Sequence, residues 1–128
     1  MATNIRTCDS AEIELIDGYI HVQFRDMSII DLEESKKVAN HVIDLCNGTA
    51  HPFITNGLGI TIRMNNDARD FFATYPPLVR VRKAQAILVN NMPSKLLANF
   101  FIKYHKPVNP TKIFTDFDEA LAWIRSIK

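Results

Sequence analysis

Ala84-Gln85-Ala86-Ile87-Leu88-Val89-Asn90-Asn91 decides the fold. Its first six residues are an apolar, partly β-branched run, the pattern of a central strand covered on both faces. Ser94 then stands as the cap of a helix reaching to about Tyr104. Pro107 and Pro110 break the chain, and Lys112 to Phe114 gives a last short strand. The closing helix has Thr115 and Asp118 at capping-box spacing and an inner face of Phe117, Leu121, Ile124 and Ile127.

Upstream of that run, strands and helices alternate. Ile13 and Leu15 alternate with Glu12 and Glu14, Asp17-Gly18 makes a tight turn, and Ile20, Val22 and Phe24 alternate with His21, Gln23 and Arg25. From Asp31 to Cys46 the period becomes helical, with Leu32, Val38, Ala39, Val42 and Leu45 on one side and Glu33, Lys36, Lys37 and Asp44 on the other. Pro52 to Asn56 reads as a short buried strand ending in the Asn56-Gly57-Leu58-Gly59 turn. Asn65 or Asn66 caps a second helix that carries Ala68, Phe71, Phe72 and Tyr75 and ends at Pro76-Pro77. The order ββαβαβαβα predicts an α/β fold over residues 1–128 as a single domain. Its sheet is mixed and mostly parallel, five-stranded with one antiparallel strand, and carries four helices.

The bulk numbers exclude several classes of function. An apolar share of 47% with 23% charged residues is the balance of a globular chain that buries a core. A net charge of +1 lacks the broad positive field of a protein that tracks nucleic-acid phosphates. Cys8 and Cys46, without a basic segment leading into an apolar run near the start, fit free thiols in a reducing compartment, so a cytoplasmic location is expected. The apolar runs are too short for a transmembrane segment.

The element order and the closing Lys112-Ile113-Phe114-Thr115-Asp116-Phe117-Asp118-Glu119-Ala120-Leu121-Ala122-Trp123-Ile124 resemble the STAS domains, the modules shared by anti-sigma-factor antagonists and sulfate-transporter tails. Asp67-Ala68-Arg69, Ala86-Ile87-Leu88-Val89-Asn90-Asn91 and Leu97-Ala98-Asn99-Phe100-Phe101, taken in order, bring the chain close to the uncharacterised bacterial STAS-like proteins. The resemblance implies a domain that binds partner proteins, in some members switched by phosphorylation of a serine where the second helix begins. Here that stretch is Arg63-Met64-Asn65-Asn66-Asp67, which has no Ser or Thr.

No residue pattern assembles a catalytic centre. His21, His41, His51 and His105 are scattered without ligand spacing, read as solvated histidines, and predict no metal site. Cys46 falls on the inner face of its helix, and the acid pairs Glu33-Glu34 and Asp118-Glu119 lie at helix starts, where they complement the dipole. Arg80, Arg82 and Lys83 alternate with Val79 and Val81 as a polar strand face or loop. No cofactor is expected. In an open α/β sheet, ligands collect beyond the carboxyl ends of the strands. That edge should hold Asn56, Gly57, Asn66, Asn90, Asn91 and Ser94 as candidate ligand-binding residues.

The helix after Ser94 carries more apolar surface than one sheet face needs. Leu96, Leu97, Ala98, Phe100, Phe101, Ile102 and Tyr104 span about 240° of its wheel, against the stripe of somewhat over ~100° that a sheet covers. A neighbouring helix covers the excess, or it meets a second protomer, a partner or an apolar ligand. The expectation is a non-enzymatic protein-interaction or regulatory module, homodimeric, with Leu97, Phe101, Ile102 and Tyr104 at the contact. The alternative is a carrier or sensor of an apolar or amphipathic small ligand. Its pocket would lie between this helix and the sheet, with the polar end near Asn90, Asn91 and Ser94.

Overall fold

The computed structural model describes residues 4–127. A short edge strand, β1 (Ile5–Thr7), pairs antiparallel with β2 (Ala11–Ile16), which turns into β3 (Tyr19–Phe24). Asp17 and Gly18 at the turn take φ of 49° and 82°, the doubly positive geometry that keeps a two-residue hairpin in step with strand twist. Alternation then buries Ile13, Ile20 and Val22. β4 (Ile29–Ile30) leads into α1 (Leu32–Cys46), whose cap Asp31 accepts the Glu34 amide at 2.9 Å. At the far end Asn47 closes α1 in the left-handed region (φ 49°), as a helix-ending Asn-Gly should.

β5 (His51–Asn56) is followed by β6 (Arg63–Met64), which pairs with β4 in a separate ribbon. α2 (Asn66–Thr74) starts from Asn65, whose side chain accepts the Ala68 amide at 2.9 Å. α3 (Pro76–Val81), β7 (Arg82–Leu88) and α4 (Met92–Phe100) come next, and α4 runs on into a π-helical turn, Phe101–His105. β8 (Thr111–Phe114) and α5 (Phe117–Arg125) complete the described chain.

The main sheet has the order β1-β2-β3-β5-β7-β8, and β2 alone runs against the others. The fold class is therefore the expected α/β one, mixed and mostly parallel. Helices flank both faces. α5 covers one, where Ile54, Ala86, Leu88, Ala120 and Ile124 form a closed cluster. α1, α2 and α3 cover the other, over Val22, Phe24 and Phe53.

Four details differ from the sequence expectation. The main sheet has six strands, because Ile5-Arg6-Thr7 is too short to display a period yet long enough to pair with Glu12–Glu14. The described residues form five α-helices: Pro76-Pro77 ends α2 and also opens α3, since proline in a first helical turn lacks only an amide that would have no partner there. The cap of α4 is Asn91, which accepts the Ser94 amide at 2.8 Å, and this leaves Pro93 in the permitted first turn. The cap of α5 is Asp116, accepting from Glu119 at 3.0 Å, one residue beyond the expected Thr115 and Asp118.

Candidate functional site

α4 is built inside out relative to an ordinary amphipathic helix. Its buried residues are the small Ala98 and, in the π-helical turn, Phe101, with partly buried Ser94 on the same side. Met92, Leu96, Phe100 and Tyr104, at intervals of four, are 67%, 63%, 41% and 62% exposed. A helix that turns small side chains inward cannot fill the space beneath it. A cavity of about 140 Å³ results, floored by Phe53, Thr55, Gln85 and Ile87 of the sheet and walled by Val38, Ala39 and Val42 of α1. Ser94, Leu97, Ala98 and Phe101 roof it, and Arg69 of α2 and Leu97, both partly exposed, border it.

Three polar side chains from the sheet also line this mostly apolar space: Thr55, Gln85 and Arg82. The Thr55 hydroxyl donates to Gln85 Oε1 at 2.9 Å. Arg82 reaches the cavity because of an irregularity in the ladder. His51 is opposite Arg82 and Phe53 is opposite Gln85, so Lys83 and Ala84 together face the single Pro52. This is a β-bulge, rare between parallel strands, and the extra residue puts Arg82 and Gln85 on one face of β7. Pro52 has no amide to lose at that point.

Arg82 is 2% exposed. Its Nε donates to Asn109 Oδ1 at 2.8 Å, and its Nη2 donates to the carbonyls of Phe72 (2.8 Å) and Ala73 (3.5 Å) in the last turn of α2. These acceptors and the negative end of the α2 dipole favour a cation there. Burial nevertheless pulls the guanidinium down to about 10, which leaves it charged at neutral pH.

The sequence-predicted strand-edge residues mostly knit loops together. Asn56 Oδ1 accepts the Leu58 amide, Asn90 Oδ1 accepts the Gly59 amide, and Asn91 Nδ2 donates to the Ile60 carbonyl, all between 2.9 and 3.0 Å. Asn66 is exposed and accepts from Arg69. Of that set Gly57 and Ser94 line the cavity. Gly57 donates its amide to the Leu88 carbonyl at 2.8 Å, and a Cβ there would stand 3.2 Å from the same oxygen. Among the residues expected at a contact surface, Tyr104 is exposed, Leu97 and Ile102 are partly so, and Phe101 turns inward to the cavity. Sequence reasoning missed Arg82 and Gln85. The single polar residue inside an otherwise apolar strand run was the available signal.

The histidines are less solvated than expected. His21 is half-buried beside Asn56 and edge-on to Phe117, and burial lowers its pKa against the pull of Glu14 and Glu12. His105 is packed on Phe101 and meets Asp70 at 2.5 Å. Cys46 is buried, which pushes its thiol up to about 11. No group of three or more metal-ligating side chains occurs among the described residues, and no helix there is long and apolar enough to cross a membrane.

This sheet order and helix arrangement define a STAS-like, or SpoIIAA-like, α/β fold. An uncharacterised protein of the DUF3478 family with a SpoIIAA-like fold, from Shewanella loihica PV-4, superposes with a TM-score of 0.60. The match covers 90% of this chain and 92% of that one at 14% identity, a likeness of fold. By sequence, the chain belongs to the DUF7793 family, a domain of unknown function whose model matches residues 12–128. No curated protein matches it.

Proposed function

We propose that this chain is a non-enzymatic, cytoplasmic binding module that takes a small apolar or amphipathic molecule between α4 and the sheet. The carrying observation is the cavity of about 140 Å³ under the small-residue face of α4. An apolar cavity of about 150 Å³ in another protein stays dry and binds benzene, so a space of this size suits a single ring or a short branched chain. Benzene is therefore the first probe. Titration followed by methyl NMR should give saturable shifts at Val38, Val42 and Leu97 and none at Ile124 on the opposite sheet face. Absence of saturation, or equal shifts at Ile124, defeats the proposal.

A second reading is supported by the exposed stripe Met92, Leu96, Phe100 and Tyr104. It is the protein-interaction module, with a second copy of the chain meeting α4 through this stripe and through Leu97 and Ile102. Covering such side chains stabilises by roughly 1.5–3 kcal/mol each when burial is complete. Sedimentation of wild type against Leu96→Asp tests it. Expected is a dimer that the variant splits into folded monomers, and a wild type monomeric at every concentration removes it.

A further inference from the structure

The cavity is mostly apolar, with Ser94 in its roof and the partly exposed Arg69 at its border, and its one buried charge is Arg82. Arg82 is buried, yet all three of its acceptors are neutral: two backbone carbonyls and the Asn109 amide oxygen. No carboxylate among the described residues lies within salt-bridge distance of it, and its Nη1 donates to none of them. Beside it on the same face, Gln85 uses its Oε1 to accept from Thr55, while its Nε2 has no protein acceptor. A buried cation without a counter-charge is costly.

The bulge at Lys83 and Ala84 is what creates this arrangement, since a regular ladder would turn Arg82 toward the α5 face. With Nε and Nη2 already committed, the donors left are Nη1 of Arg82 and Nε2 of Gln85, a pair that suits the two oxygens of a planar, singly charged carboxylate. A phosphate dianion would need more cations than the one buried here.

Resting on the cavity reading above, we propose that the ligand is a small amphipathic carboxylate: Arg82 and Gln85 hold its anionic end and its apolar body lies under α4. Arg82 thereby gains the counter-ion that the chain itself does not supply. Its bonds to Phe72, Ala73 and Asn109 hold the guanidinium in place before the ligand arrives, so little ordering is required on binding.

Benzoate and benzamide have nearly the same shape and differ in charge, so their ratio reads the head group, while benzene reads the cavity alone. Calorimetric or NMR titration of the wild type should give benzoate at least about tenfold tighter than benzamide, the effect of one charge-assisted bond pair. Arg82→Met should bring the two together, the benzoate-to-benzamide ratio being read within the variant itself. Because Arg82 also tethers α2, Gln85→Leu provides a second variant, expected to lower the benzoate preference several-fold in a folded protein. If benzene binds but benzoate is no tighter than benzamide, the carboxylate assignment is overturned and the cavity stands. If none of the three binds, both fall.

Discussion

α5 and α4 cover opposite faces of the same sheet, and each turns alanine inward, yet one interior is closed and the other hollow. Ala120 lets α5 approach Ala86, and Ile124 fills the remaining space against Ile54 and Leu88. Ala98 and Ser94 on α4 meet no such partner, because α4 is held at its ends. Asn91 ties its start to the Ile60 carbonyl, and the π-helical turn docks on α2 through His105 and Asp70. A small residue closes an interface only where the helix is free to move in. Where loops fix its distance, the same residue opens a cavity.

Three measurements break or sharpen this contrast. The largest effect belongs to the closed face: Ile124→Ala should cost about 2–5 kcal/mol in chemical denaturation. Leu97→Ala on the cavity side should cost less than about 1 kcal/mol, because Leu97 is already 39% exposed. Equal losses would mean that the two layers are packed alike. Next, Ala120→Leu should overpack α5 and cost about 1–3 kcal/mol. Ala98→Leu should instead be neutral or stabilise by about 0.5–2 kcal/mol while abolishing benzene binding, and a comparable destabilisation would show the space under α4 to be unavailable to a side chain.

The smallest effect concerns the polar lock at the start of α1. Burial pushes the Glu34 carboxyl up, but hydrogen bonds from the Ser10 hydroxyl (2.7 Å) and amide (3.0 Å) outweigh it, so its pKa lies below the ordinary carboxylate value. A depressed carboxyl contributes stability above its unfolded pKa and loses it as pH falls through the folded value. Glu34→Gln should therefore cost about 1 kcal/mol at neutral pH and flatten the acid limb of the stability profile below about pH 4.5. An unchanged acid limb would place the titrating group elsewhere.

Much of this architecture was legible from residue order. Alternation at Ile13–Phe24, the inner face of α1 and the turn at Asp17-Gly18 depend on local chemistry and folded as written. The excess apolar arc of α4 was also legible, since composition fixes its width. Which sector of that arc faces the sheet was not, because anchors distant in sequence, such as Asn91 to Ile60, set the rotation. Arg82 read as part of a polar strand face or loop with Arg80 and Lys83, and a bulge is invisible until the partner strand is known. The strand-edge asparagines pointed to the right end of the sheet, but their amides are spent on loop closure.

The unequal count of residues between β5 and β7 also bears on how this strand tolerates change in length. Removing one residue from a central parallel strand ordinarily throws every later side chain onto the wrong face. Here Gln85 to Leu88 keep their own partners on β5 and β8 beyond the irregularity, so deleting Lys83 would restore a one-to-one ladder opposite Pro52 without disturbing that register. Arg82 would then stand two places before Gln85 and, by the alternation of a regular strand, stay on the face toward the space under α4. A single-codon deletion thus trades the bulge for a regular strand while both polar side chains keep their face, a one-step route between two chain lengths with the same cavity chemistry.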